Sequence, residues 1–131
     1  MPTLPWHASA LPRDGETYVT MLTFLPLKRY RDTPRFIIYV IRVYLQLKRT
    51  EGVVGFSMRS EPLKKKYWTL SAWNSHQAMG NYIHTPPHVD VMRSMQGYMG
   101  ATAFTSWEAT SSDLPLSWDD ALSRQTQPYT R

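Results

Sequence analysis

Polar and apolar residues alternate along parts of this 131-residue chain and recur every three or four residues in others, and the two periods mark out its elements. Thr17 to Leu25 is β-branched and aromatic with apolar residues on both parities, and Pro26 ends it, the pattern of a strand covered on both faces. Pro34 opens the segment Arg35 to Arg49, where Ile37, Val40, Ile41, Tyr44, Leu45 and Lys48 share one helical face. Phe36 to Ile41 is β-branched enough for a strand, but the length of the segment and its leading proline favour a helix. A helix this apolar almost all round is expected to meet a partner chain or a tail on its outer side. Gly52 ends it and starts a strand from Val53 to Arg59, with Val54, Phe56 and Met58 on one side. After a connection containing Pro62, Lys66 to Trp73 forms the next strand, and the two read as an antiparallel hairpin. In that strand Trp68, Leu70 and Ala72 share one face, and Tyr67, Thr69, Ser71 and Trp73 share the other. Asn74 or Ser75 caps a helix from His76 to about Ile83, which Pro86-Pro87 breaks. A second short helix follows, with Thr85 as its cap and Pro86 at its first position, and Ala101 to Glu108 is a last strand with Phe104 and Trp107 on opposite faces.

The order strand, helix, strand, strand, helix, strand predicts an α+β domain of the ferredoxin-like βαββαβ kind, one antiparallel sheet with helices on one face. Residues 17–109 are assigned to it. Residues 1–16, with Pro2, Pro5, Pro12 and Gly15 and no sustained period, read as an irregular N-terminal arm. Residues 110–131 read as a C-terminal tail that docks through Leu114, Leu116, Trp118 and Leu122. Because the strands are apolar on both parities, the helix-free face cannot stay in water and is most simply buried against a second copy, giving a homodimer.

Composition narrows the chemistry. With no cysteine, the chain has no disulfide, thiolate metal site or cysteine nucleophile. The N-terminus lacks the basic and apolar regions of a signal peptide, and the apolar run Phe36 to Val43 is interrupted by Arg42 and too short to span a bilayer. A cytoplasmic protein with no membrane partner is the expectation. The net charge of +5 comes from Lys28-Arg29-Tyr30-Arg31, Lys48-Arg49 and Lys64-Lys65-Lys66, each between predicted elements. These read as separate solvated loops with no nucleic-acid partner, since no recognition motif accompanies them, although their field would draw in an anionic small substrate.

The most informative residue is His88. It falls on one helical stripe with Val91, Met92, Met95 and Met99, so its ring points inward, in the first turn of a helix where the positive helix end disfavours imidazolium. A neutral inward imidazole either serves a ligand or bonds a backbone carbonyl in the core. The face carrying Tyr67, Thr69, Ser71 and Trp73, joined by Ser57 and Arg59, mixes aromatic rings with hydroxyls; it suits a ligand-binding wall or a subunit interface. His84 and His88 are four apart, but the double proline between them removes the continuous helix a zinc site would need.

The run Gly52 to Ser60, the strand ending Trp68-Thr69-Leu70-Ser71-Ala72-Trp73, the helix after it, Pro87-His88 with Met92 beyond, and Trp107-Glu108 closing the last strand resemble the antibiotic biosynthesis monooxygenase-like dimeric α/β barrel family. The resemblance covers about residues 17 to 109. It implies a homodimer with a cavity in each subunit between helices and sheet. In the quinone-forming members an electron-rich phenol is deprotonated and its anion reduces dioxygen directly, without metal or flavin. The expectation is therefore a small cofactor-independent monooxygenase-like enzyme acting on an aromatic or polycyclic compound. His88 would take the phenolic proton, Trp73 and Tyr67 would form an aromatic wall, Arg59 would stabilise the developing anion, and Thr69, Ser71, His84, Met92 and Met95 would line the substrate. Haem-binding relatives imply an alternative, with His88 as axial ligand and His84 or Met92 as substitutes, although the first strand lacks the asparagine of the haem-degrading members. A non-catalytic ligand-binding or assembly module is the third reading.

Overall fold

The computed structural model describes residues 5–10 and 13–125, so the rest of the arm and residues 126–131 of the tail lie outside the described residues. Strands β2 (Thr17–Pro26), β3 (Val53–Glu61), β4 (Lys66–Trp73) and β5 (Ala103–Thr110) form an antiparallel sheet with a short edge strand β1 (His7–Ala8), in the order β1-β3-β4-β2-β5. Helix α1 (Thr33–Arg49) joins β2 to β3, and helices α2 (His76–Ile83) and α3 (His88–Met95) join β4 to β5. This is the predicted ferredoxin-like α+β order. The arm is not irregular throughout, because His7 and Ala8 pair with Phe56 and Gly55 of β3. The last strand starts at Ala103 and runs on to Thr110, slightly beyond the predicted Glu108.

Side-chain parity follows the register. On β2 and β4 the residues Val19, Met21, Thr23 and Leu25 lie across from Trp73, Ser71, Thr69 and Tyr67, and this face carries the helices. Tyr18, Leu22 and Phe24 share the opposite face with Trp68, Leu70 and Ala72. The expectation for β3 is corrected. A bulge between Val53 and Gly55 puts one extra residue into the strand. Val53, Phe56 and Met58 pack under the helices, whereas Val54 joins the helix-free core, and Ser57 and Arg59 face that side across from Leu70 and Trp68. Gly55 is the one residue that admits the arm here, since a Cβ on it would overlap the Trp6 indole.

The helix-free face is covered differently from the expectation. Tyr18, Leu22, Phe24, Trp68, Leu70, Ala72, Ala103 and Ala109 are all buried within one chain, under Leu116 and Ala121, with Trp6, Leu114, Trp118 and Leu122 packed at the margins. Helix α4 (Trp118–Ser123) lies in this strap, its start capped by the Ser117 hydroxyl accepting from the Asp120 N–H at 3.3 Å. Two tryptophans pin it: the Trp118 indole N–H donates to Ser57 Oγ at 3.1 Å, and that of Trp68 donates to Gln125 Oε1 at 3.0 Å. The tail docks as predicted, and in doing so it removes the need for a second copy on this face. The outer side of α1 stays open instead, with Ile37, Ile38, Ile41 and Leu45 exposed.

Candidate functional site

The helix layer does not roof the whole of its sheet face. Helix α1 packs over β3 and the near end of β4, where Tyr44 meets Phe56 at 5.2 Å between ring centroids and Phe36 meets Tyr67 at 4.4 Å. Tyr82 of α2 lies on Trp73 at 5.1 Å. Over β5 the layer stops, and Phe104, Ser106 and Glu108, which share this face, are all exposed. Between the roofed and open parts, Met21, Thr23, Thr69 and Ser71 remain half-buried. The result is an incompletely covered strip of sheet with an apolar and hydroxyl surface.

One end of this wall continues into a ladder of rings. The buried Trp73 indole N–H donates to Ser71 Oγ at 2.8 Å, the indole contacts Tyr82, and Tyr82 contacts the His88 imidazole at 4.6 Å. Burial pushes the Tyr82 hydroxyl well above its ordinary pKa, so it is neutral at any physiological pH. His88 Nδ1 donates to the Ile83 carbonyl at 3.1 Å, and because a carbonyl only accepts, the neutral ring carries its hydrogen on Nδ1 and leaves Nε2 as the acceptor. Burial lowers the His88 pKa, the Ile83 bond partly opposes this, and the charge of His84 adds to the lowering.

The start of α3 departs from the prediction in an informative way. Pro87, not Thr85, is the residue before the helix, and no side chain nearby in sequence caps it; Thr85 Oγ1 donates to the Asn81 carbonyl at 2.5 Å instead. The cap comes from α1: Gln46 Oε1 accepts the His88 N–H at 2.8 Å, while Gln46 Nε2 donates to the Thr85 carbonyl at 3.1 Å. Gln46 thereby fixes where the imidazole sits. It escaped the sequence reading, though a lone amide between Leu45 and Leu47 on an apolar helix is the signal that points to it.

The predicted set therefore divides. Trp73, Ser71 and Thr69 share one wall, and His88 is linked to it through Tyr82, whose ring lies against both Trp73 and His88. Tyr67 and Met95 share a closed core with Leu27 and Phe36, at the roofed end of the same face. Three residues do not join. Arg59 is on the opposite face because the hairpin register sets it across from Trp68, and its Nε is buried without a hydrogen-bond partner. His84 is exposed at the end of α2, its ring nitrogen on the Gly80 carbonyl at 3.2 Å, and Met92 is 42% exposed because the stripe it was placed on rolls outward there.

A second concavity of about 1050 Å³ runs outside Tyr82, between α1 and α2, walled by Arg42, Gln46, Arg49, Asn74, Asn81 and Thr85. The His88 ring is packed on Tyr82, and the wide groove mixes these polar groups with Leu45, Ala78, Pro86 and Pro87. Among the described residues no group of three or more His, Asp or Glu could hold a metal ion, and no helix is long and apolar enough to cross a membrane.

The sheet order and helix layer give the chain the fold of the antibiotic biosynthesis monooxygenase-like proteins. Solved structures similar to it include a candidate monooxygenase from Lactobacillus acidophilus NCFM, with 13% identity and a TM-score of 0.63 over 82% of this chain and 54% of that one. This chain thus spans about half the length of that protein. A candidate antibiotic biosynthesis monooxygenase from Nitrosomonas europaea is similar over 68% of this chain and 95% of its own, with 12% identity and a TM-score of 0.60. SnoaB, a cofactor-independent oxygenase from Streptomyces nogalater, is similar over 76% of this chain and 98% of its own, with 14% identity and a TM-score of 0.56. No family model and no curated protein matches the sequence.

The His88 environment has a consequence for stability. An unfolded imidazole takes up a proton near its ordinary value of 6.5, while the folded ring resists it until lower pH. The stability that the neutral ring contributes is therefore complete above that value and is lost as pH falls through the folded pKa. Urea unfolding midpoints are expected to decline as pH falls below about 6.5, and His88→Gln, which has no ionising ring, is expected to flatten that decline.

Proposed function

We propose that the chain is a small cofactor-independent, monooxygenase-like enzyme that acts on an electron-rich aromatic or polycyclic compound. The observation that carries this reading is the half-roofed wall of Met21, Thr23, Thr69 and Ser71, flanked by Phe104 and ending in the Trp73, Tyr82 and His88 rings. A flat apolar substrate lies along Met21 and Phe104, with the Thr69 and Ser71 hydroxyls in reach of its oxygens. His88, held neutral by burial, accepts the phenolic proton at Nε2, and the resulting anion is the species that reduces dioxygen. Arg59 has no part in this reading. Resemblance in fold to an oxygenase supports the assignment without fixing the substrate.

The test is oxygen uptake by the metal-free protein with a panel of polycyclic hydroquinones and phenols. Uptake that depends on both protein and substrate, and survives a chelator, is the expected result; a background rate across the panel would remove the enzymatic reading. One observation favours a second reading, a non-catalytic ligand-binding or assembly module: the His88 ring already donates to Ile83 as a satisfied core group does.

A further inference from the structure

Two basic clusters that are separate loops in the sequence meet at one corner of the fold. The turn after β2 carries Lys28, Arg29, Tyr30 and Arg31, and the β3–β4 connection carries Lys64 and Lys65, with Lys66 opening β4. They are tied together by backbone and side chain. The Leu27 N–H donates to the Lys65 carbonyl at 2.7 Å, Lys65 Nζ donates to the Lys28 carbonyl at 3.2 Å, and the Tyr30 hydroxyl donates to the Leu63 carbonyl. Lys65 holds a left-handed backbone with φ 57°, a conformation a side chain adopts reluctantly, and its ammonium rests 4.8 Å from the centre of the Tyr30 ring. Lys28, Arg29, Arg31, Lys64 and Lys66 are left exposed around this fixed junction. The cations outnumber the acids beside them, which are the buried Asp32 and Glu61, the latter engaged by Lys64 at 3.8 Å. Helix α1, which leaves the same corner, has no acidic residue in its length.

At the tip of the corner stands an apolar residue that packing does not explain. Leu63 is 87% exposed, flanked in sequence by Pro62 and Lys64, in a loop held by the Tyr30 bond. We propose that this corner docks on an anionic lipid bilayer surface, with Leu63 entering the interface between headgroups and the surrounding lysines and arginines meeting lipid phosphates and carboxylates. An exposed leucine ringed by cations matches the apolar and anionic layers of such a surface. The chemistry favours lipid over nucleic acid. Tyr30, the aromatic ring here, has Lys65 on it and its hydroxyl committed to the loop, so it offers no ready stacking platform for a base. A second copy of the corner would meet it with like charge.

Flotation of the full chain with vesicles tests this. Binding is expected to vesicles of phosphatidylcholine containing about 30% phosphatidylserine, and not to phosphatidylcholine alone, and to weaken as salt rises above about 0.1 M. The double variant Arg29→Glu with Lys66→Glu takes one cation from each cluster and is expected to lower the partition coefficient by more than about tenfold. Leu63→Ser keeps every charge and is expected to lower it several-fold. All three positions are exposed, so unchanged thermal unfolding shows that the variants fold. Absence of binding to the acidic vesicles overturns the proposal. So does binding that Leu63→Ser leaves unchanged, or a single-stranded RNA that displaces the protein from vesicles and binds it equally well with and without Leu63.

Discussion

Ala121→Arg is expected to unseat the C-terminal strap and change the state of association of the protein. Ala121 is completely buried between α4 and the sheet, against a core that includes Leu70 and Ala72, both equally enclosed. A guanidinium placed there has neither room nor a partner, and overpacking together with a buried unpaired charge costs on the order of 3 kcal/mol or more. Releasing residues 114–125 is cheaper for the chain than accommodating the arginine. The face then exposed carries Tyr18, Leu22, Phe24, Trp68 and Leu70, an apolar surface too continuous to remain in water. Size-exclusion chromatography is expected to show the variant in larger species than the unmodified chain, and the variant is expected to bind a hydrophobic dye. A variant that elutes like the unmodified chain and unfolds unchanged would mean that the strap contributes little to burying the sheet.

His88→Ala is expected to lower substrate-dependent oxygen uptake by about a hundredfold or more, the range that a positioned general base contributes. The substitution removes the one acceptor nitrogen that burial keeps free of a proton, and it also removes a ring from the Trp73, Tyr82 and His88 ladder. His88→Gln separates the two effects, because an amide can still donate to the Ile83 carbonyl yet has no comparable basicity. If only the base matters, both variants lose turnover while the glutamine variant retains near-normal stability. Full activity in the glutamine variant would leave His88 a packing residue and would favour the assembly reading.

The elements and their order are legible because β2 and β4 are β-branched and aromatic runs bounded by turn residues and α1 is a long segment opened by Pro34, so local pattern and global fold agree. Arg59 lies on the helix-free face for a physical reason: the hairpin pairs Glu61 with Lys66, so odd positions of β3 sit across from even positions of β4, and alternation within one strand does not give that cross-strand register. His88 was correctly turned inward, but its partners were not readable, since Ile83 lies across the double proline and Gln46 comes from another element. Met92 shows the limit of a helical stripe on a short helix. α3 has neighbours on part of its circumference alone, so Met95 is buried while Met92 is not. The helix-free face was rightly read as needing cover. That the cover would be the chain's own tail required knowing how far α4 reaches, which no periodicity encodes.

Amide chemical-shift mapping with a polycyclic hydroquinone under anaerobic conditions tests most directly whether a flat aromatic ligand lies on the half-roofed strip of sheet. Saturable shifts are expected at Met21, Thr23, Thr69, Ser71 and Phe104, and at Trp73 and His88 beside them. Shifts that fall instead on Arg42, Gln46, Arg49 and Asn81 in the outer groove, or no saturable shifts at all, would contradict that placement.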